Sequence, residues 1–137
     1  MSTNRRLFLK QLSFAMASCS MAKTFQIPVD APFVHHVLFW IKDPGNKEHY
    51  NGVYKSLMEF KKVRGVRYLH VGASSISDME FEAKATDASF TFSYLAFIDS
   101  KKDKEAYLKD PMHVKFVNDF REAISNVVIY DSLSIAG

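Results

Sequence analysis

The most restrictive feature of this chain is a nearly uninterrupted apolar run over residues 33–41. Every residue of the run is aliphatic or aromatic except His35 and His36, and none carries a fixed charge. A turn signal, Asp43-Pro44-Gly45-Asn46, follows shortly after it. A run of this length and composition is typical of a strand that is buried on both faces. The fold must therefore provide a cover for both faces of this strand.

The remaining segments show the two periodicities of secondary structure. Apolar residues recur at helical spacing in residues 47–62, whereas residues 89–98 alternate strongly, as strands do. Asp110 is a suitable helix N-cap, and Pro111 suits a first helical position. In chain order the predicted elements are strand 33–41, helix 47–62, strand 66–73, polar loop 74–87, strand 89–98, short helix 102–108, a helix from Asp110 whose apolar stripe ends at Ile124, and strand 126–135.

This β-α-β-β-α-β order is the ferredoxin-like plan of the α+β class. In that plan the helices cover only one face of the sheet. The first and third strands carry aromatic residues on both faces, so the second face also needs a cover. The simplest cover is the sheet of a second copy. We therefore expect a homodimer in which two ferredoxin-like sandwiches close a dimeric α+β barrel.

The excess of positive charge is confined to the N-terminus. The chain has 18 basic and 15 acidic residues, and residues 1–22 contribute Arg5, Arg6 and Lys10 but no acidic residue. The remainder therefore carries equal numbers of both signs. A nucleic-acid binder needs a clustered basic face, so no nucleic-acid partner is expected.

Residues 1–22 resemble a twin-arginine export signal. The pair Arg5-Arg6 is followed by x-Phe-Leu-Lys and then by a modest apolar stretch. That stretch is too short to span a bilayer but suits the apolar region of a signal peptide. We therefore expect an exported, periplasmic protein in which residues 23–32 form a linker and residues 33–137 form the mature domain.

The end of the leader leaves two interpretations open. Ser20 and Ala22 supply small residues for simple cleavage after Ala22, which is the favoured interpretation. The segment Met16-Ala17-Ser18-Cys19 also resembles a lipobox, with Met in place of the usual Leu or Val, and Cys19 is the sole cysteine of the chain. Lipidation of Cys19 would anchor the protein to a membrane, and only in that case is a membrane partner expected.

Several strings of the domain resemble the stress-responsive A/B barrel (Dabb) family. They are residues 34–42, the pairs Gly65-Val66 and Val71-Gly72, and residues 107–114. The last string is the most specific, because it contains the pattern Tyr-x-x-x-Pro-x-His. The resemblance covers residues 33–133 and implies the ferredoxin-like fold and the dimeric barrel. It implies little about activity, because most members of the family have none assigned.

One branch of the family, the plant polyketide cyclases, performs chemistry in a pocket between the sheet and the helices. Resemblance to this branch places its cooperating Tyr and His on Tyr107 and His113, and a further pocket His on His36. A third-strand histidine of that branch falls on Phe92, which is a departure from its pattern. The residues expected to line a ligand pocket are His36, Leu38, Trp40 and Phe92.

Tyr107 and His113 would suit proton abstraction next to a carbonyl. His113 follows the predicted helix start closely, and the positive end of a helix dipole disfavours imidazolium. The carboxylate of Asp110 would act in the opposite direction if it lay close to the ring. A neutral imidazole can act as a general base, while Tyr107 donates a hydrogen bond to a developing oxyanion. The alternative is structural: His113 only binds a backbone carbonyl, and Tyr107 only packs its helix against the sheet.

No cofactor is expected, because no phosphate-binding loop or other cofactor motif occurs. No metal centre is expected either, because the potential ligands are not closely spaced. Three hypotheses for the function remain. The favoured one is an exported homodimer that binds a small apolar molecule. The others are a cyclase- or lyase-like enzyme that uses the His/Tyr pair, and a structural dimer without a ligand.

Overall fold

A computed structural model of the protein describes residues 33–135. The predicted signal peptide (1–22), the linker (23–32) and Cys19 lie outside these described residues. The elements, in chain order, are β1 (Phe33–Ile41), α1 (Lys47–Glu59), a 3-10 turn (Phe60–Lys62), β2 (Val66–Gly72), α2 (Glu80–Ala85), β3 (Phe92–Ile98), α3 (Lys101–Lys109), α4 (Pro111–Phe120) and β4 (Ile124–Leu133).

The four strands form one sheet in the order β2-β3-β1-β4. All three neighbouring pairs are antiparallel, and β1 lies in the centre between β3 and β4. Each crossover from β1 to β2 and from β3 to β4 carries helices. This arrangement confirms the predicted ferredoxin-like fold.

Alternation along β1 divides the sheet into two faces. Phe33, Val37 and Phe39 are buried and pack in one core with the helices, together with Phe92, Tyr94 and Ala96 of β3. The residues that alternate with them, Val34, His36, Leu38 and Trp40, point to the other face, which we call the open face. Within the single chain, the β1 residues Val34, His36 and Trp40 on this face are only half-buried. The predicted burial of β1 is thus complete on the helical face alone.

Local signals explain where α1 begins and ends. The side chain of Asn46 accepts hydrogen bonds from the backbone amides of Glu48 and His49, which caps the helix. The predicted helix 47–62 is interrupted at Glu59, because its last residues form a 3-10 turn. Gly65 then turns the chain with φ 88°, and a Cβ there would lie 2.8 Å from the Cβ of Asp103. Only glycine fits this turn without strain.

The loop predicted at 74–87 contains a short helix, α2, at Glu80–Ala85. It buries no residue. Glu80 and Glu82 lie in its first turn and Lys84 in its last, so side-chain charges complement the helix dipole. Lys84 also pairs with Glu80 one turn away. A helix held by such local charges leaves no apolar stripe for a sequence pattern to detect.

The starts of two strands also differ from the prediction. Strand β3 begins at Phe92 rather than at residue 89, and β4 begins at Ile124 rather than at residue 126. The assignment of Ile124 to the preceding helix was wrong, because α4 ends at Phe120 and Ile124 pairs with Ile41 of β1. No helix within residues 33–135 is long and apolar enough to cross a membrane.

Candidate functional site

A cleft of about 520 Å³ is bounded by β1, β4, α3 and α4 on the helical side of the sheet. Its lining is largely apolar and includes Val37, Phe39, Leu57, Phe60, Phe116, Val117 and Val127. The polar groups that reach it include His35, Tyr94, Lys104, Tyr107 and His113. An apolar cleft with a few convergent polar groups is the usual form of a small-molecule site.

The structure brings Tyr107 and His113 together, as the sequence predicted, but it pairs them with a different histidine of β1. Their ring centroids are 5.0 Å apart, and the ring of His35 lies 5.7 Å from that of Tyr107. His36, the β1 histidine named in the prediction, does not line this cleft. His36 follows His35 directly along a strand, so its side chain points to the open face. There its Nε2 lies 3.0 Å from the Ser93 hydroxyl.

The other predicted pocket residues also lie away from the cleft. Leu38 and Trp40 alternate in step with His36 and belong to the open face, where the indole of Trp40 donates to the Ser89 hydroxyl over 3.1 Å. Phe92 lies on the helical face, but its ring packs against Tyr50 at 4.6 Å between centroids, and it does not line the cleft.

His35 is held by a polar chain that the sequence did not reveal. Its Nδ1 lies 2.6 Å from one carboxylate oxygen of Asp131 on β4, and the Lys104 ammonium lies 3.0 Å from the other oxygen. Because a carboxylate only accepts, Nδ1 carries the hydrogen. Nε2 is then the ring nitrogen without a hydrogen, and it can accept a hydrogen bond from a group in the cleft. Burial lowers the pKa of His35, and this effect outweighs the opposing influence of Asp131.

Asp131 remains ionised in this arrangement. Burial acts to raise the pKa of its carboxyl, but the hydrogen bonds from His35 and Lys104 reverse the effect and lower that pKa. The carboxylate is therefore charged while the imidazole beside it is neutral. Such a pair fixes the tautomer and the orientation of the histidine.

Tyr107 is buried and shares a hydrogen bond with a second tyrosine. Its hydroxyl lies 3.0 Å from that of Tyr94 on β3. Burial and the neighbouring Tyr94 raise the pKa of Tyr107, and burial raises that of Tyr94, so both stay protonated. The two hydroxyl groups carry two protons, and the hydrogen bond between the tyrosines uses only one of them. The other is available to a ligand oxygen.

His113 is the second neutral imidazole of the cleft. Its pKa is lowered by burial first and then by the proximity of His35, while a hydrogen bond with the Leu108 backbone acts in the opposite direction. The sequence predicted a neutral His113 from the helix dipole, whereas burial is the main cause here. The hydrogen bond with the Leu108 backbone also agrees with the structural alternative, in which His113 binds a backbone carbonyl.

His35, Lys104 and Asp131 are the site residues that sequence reasoning missed. The signal for His35 was available, because the apolar residues Phe33, Val37 and Phe39 share its parity along β1. Asp131 and Lys104 gave no such signal, since each is distant in sequence from His35. In the part of the chain that the structure describes, no three His, Cys, Asp or Glu side chains converge as a metal site would require.

Fold and cleft together define a ferredoxin-like α+β domain with a pocket of small-molecule size. Residues 33–134 match the family model of the Stress responsive A/B Barrel Domain, or Dabb. The chain therefore belongs to this family, as the strings in its sequence indicated. No curated protein sequence matches the chain significantly.

Solved structures with this fold are distant in sequence. A protein from Arabidopsis thaliana is 20% identical with a TM-score of 0.61, over 77% of this chain and 98% of that chain. A dimeric protein of unknown function from Bacteroides fragilis is 19% identical with a TM-score of 0.56, over 76% and 97%. The hydroxynitrile lyase of Passiflora edulis is 16% identical with a TM-score of 0.61, over 78% and 97%. Identities this low establish the fold alone.

Proposed function

We propose that the protein is an exported homodimer that binds a small, largely apolar molecule carrying a hydroxyl or carbonyl group in the cleft beside His35 and His113. The observation that carries this proposal is the presence of two neutral imidazoles in a largely apolar cleft of about 520 Å³. A cleft of this size suits a small ligand. The open space also favours binding over a structural dimer whose pocket is filled by its own aromatic residues.

The chemistry of the lining decides which ligands fit. The apolar walls favour an aliphatic or aromatic body. A neutral imidazole nitrogen accepts a hydrogen bond from a hydroxyl, and the spare proton of the Tyr94–Tyr107 pair serves a carbonyl or hydroxyl oxygen. A fully apolar molecule would leave these groups without partners, which is costly in a desolvated site.

Binding can be tested with 1-naphthol, a fluorescent probe that has an aromatic body and one hydroxyl. Val117 and Val114 offer a matched pair on α4, because they are 44% and 46% exposed and only Val117 lines the cleft. Val117→Trp should weaken 1-naphthol binding at least roughly tenfold by filling the cleft. Val114→Trp should leave binding unchanged. Equal binding by both variants, or none by the unmodified protein, would count against the proposal.

The homodimer is supported by the open face of the sheet. This face carries apolar and aromatic side chains, Val34, Trp40, Leu95 and Phe97 among them, that are only half-buried and that no helix within residues 33–135 covers. The structural neighbour from Bacteroides fragilis is dimeric. A second copy of this sheet, laid on the open face, would bury these residues and close the barrel.

Export is supported by the Arg5-Arg6 sequence and by the confinement of the excess positive charge to residues 1–22. Residues 23–137 contain no cysteine, so the domain needs no disulfide and can fold before export. Replacing both arginines by lysine should retain the protein in the bacterial cytoplasm, as fractionation would reveal. Cys19→Ser separates the two alternatives at the end of the leader, because it abolishes membrane anchoring only if Cys19 is lipidated.

A lyase- or cyclase-like activity is the second candidate function. Two neutral imidazoles can each accept a proton, and the hydroxynitrile lyase of Passiflora edulis shares the fold. In a reaction of that type, His35 or His113 would take the hydroxyl proton of a cyanohydrin. The electron pair of the O–H bond would form the carbonyl as the carbon–carbon bond breaks and cyanide leaves. Tyr107 would donate its hydrogen bond to the same oxygen.

Mandelonitrile serves as a probe for this second function. If the protein cleaves it to benzaldehyde and cyanide, His113→Gln and His35→Gln should each lower kcat at least roughly a hundredfold. His36→Gln is the control, since it replaces the neighbouring histidine on the open face. Cleavage at the wild-type rate by all three variants would exclude the histidines from the reaction. Absence of cleavage together with 1-naphthol binding would favour the binding function.

A further inference from the structure

A series of polar contacts leads from Lys104 of α3, which also lines the cleft, through Asp131 to His35. The Lys104 ammonium and the His35 imidazole bind different oxygens of one carboxylate, that of Asp131, at 3.0 and 2.6 Å. His35 and Asp131 are also direct partners across the β1–β4 pair. The three side chains are 17%, 29% and 4% exposed for Lys104, Asp131 and His35. These contacts thus connect the partly exposed Lys104 of α3 to a fully buried histidine.

From this geometry we infer that Lys104 is a positioning residue, which acts through Asp131 to hold His35 as a neutral acceptor whose Nε2 serves the cleft. The inference rests on the proposed function of the cleft and deepens it, because it states how the ligand-facing nitrogen is kept free of a proton. Lys104 itself needs no contact with the ligand. Its ammonium compensates the carboxylate charge that would otherwise draw a proton onto His35.

The balance of charges shows the direction in which Lys104 acts on His35. A carboxylate hydrogen-bonded to an imidazole favours imidazolium, and Asp131 acts on His35 in that direction. Burial opposes it, and the nearby positive charge of Lys104 does the same. With Lys104 present, the Asp131 charge is shared between two donors. Without it, the full charge of Asp131 would act on His35 alone.

Every element packed around His35 contributes groups to this balance. The titratable or charged side chains that face or adjoin it are His36 of β1, Tyr94 of β3, Asp131 of β4, Lys104 and Tyr107 of α3, and His113 of α4. Both tyrosines stay protonated and neutral, and His113 is neutral. Lys104 is thus the sole lysine or arginine in this set, and Asp131 is its sole carboxylate.

Imidazole NMR on the full-length protein, without any ligand, tests the inference. In the wild type, the nitrogen shifts of His35 should show hydrogen on Nδ1 and a free Nε2 at neutral pH. Lys104→Met should increase the proton affinity of His35 roughly tenfold, the scale on which one nearby charge acts in a partly solvated site. Lys104→Arg should restore the wild-type midpoint, because it returns a cation to the Asp131 carboxylate.

Lys102→Met is the matched control, since Lys102 is exposed on the same helix and lines no part of the cleft. The titration of His35 in the Lys102→Met variant should match that in the wild type. A Lys104→Met protein that folds and titrates like the wild type would overturn the inference. A wild-type His35 with hydrogen on Nε2 would do so as well, even if Lys104→Met did not fold. Since no ligand is present, these outcomes are independent of whether 1-naphthol binds.

Discussion

His35 donates its Nδ1 hydrogen to Asp131 over 2.6 Å, from the central strand β1 to the edge strand β4, where the two residues are direct partners. The contact ties the residue that faces the cleft to the strand that forms one of its walls. It is also the place where the chain brings together residues 96 positions apart in sequence.

Removal of the Asp131 carboxylate should destabilise the fold. Asp131→Ala leaves Nδ1 of the buried His35 without its acceptor and Lys104 without its partner, which costs about 2 kcal/mol for hydrogen bonds to a charged group. Urea denaturation measures the loss. Asp119→Ala is the control, because Asp119 pairs with Lys115 on the surface of α4 and its loss should cost less than ~0.5 kcal/mol. Equal losses in the two variants would contradict a special role for the buried contact.

The Tyr94–Tyr107 pair should show strong coupling in a double-mutant cycle. Either Tyr→Phe change removes one hydroxyl and leaves the other buried without its partner, at a cost of about 1 kcal/mol. The double variant removes both hydroxyls, so its loss of unfolding free energy should be smaller than the sum of the single losses. Urea denaturation of the four proteins gives the coupling directly. Strict additivity would mean that the 3.0 Å contact contributes nothing.

Acid should destabilise the protein below a pH of about 6.5, the ordinary pKa of histidine. Burial lowers the pKa of both His35 and His113 in the fold. As the pH falls through the unfolded pKa, the unfolded chain binds protons that the folded chain does not, so the free energy of unfolding falls. The lowered pKa of Asp131 acts in the same direction in a lower window, because its stabilisation disappears as its carboxylate is protonated.

Chemical denaturation between pH 5 and 8 measures this dependence. The double variant His35→Gln/His113→Gln should be less stable at pH 8 but should lose much of the slope between pH 7 and 5. His49→Gln is the control, since His49 is exposed on α1. A double variant that keeps the full slope would assign the acid sensitivity to other groups.

The sequence predicted the order of the elements well, because long periodic segments carry their own signal. The apolar run of β1 and the alternation of β3 follow from burial against the helices, and the Asp110-Pro111 signal places the start of α4. The predicted boundaries of the elements were less accurate where apolar residues suit both a helix and a strand. Ile124 continued the helical stripe in sequence, although it pairs with Ile41 in the sheet.

The candidate site was predicted only in part. Tyr107 and His113 lie close in sequence, so one pattern contained both. The β1 histidine was misassigned because His35 and His36 are adjacent, and a shift of one residue moves a side chain to the other face. Asp131 and Lys104 enter the site only through strand pairing and helix packing. Contacts of that kind depend on register and on tertiary structure, which the periodicity of a single sequence does not specify.

The open face of the sheet should be the dimer contact, and one charge placed on it should separate the protomers. Leu95 of β3 is half-buried and pairs with His36 of β1 and His70 of β2, in the middle of that face. Leu95→Glu would bury a carboxylate between two sheets, which is costly without a partner, so the variant should be monomeric at micromolar concentration. Val114→Glu is the control, because it adds the same charge to an exposed position of α4. Light scattering should give twice the protomer mass for the wild type and the control. A monomeric wild type would contradict the predicted homodimer. A dimeric Leu95→Glu variant would show that the dimer contact lies on another surface.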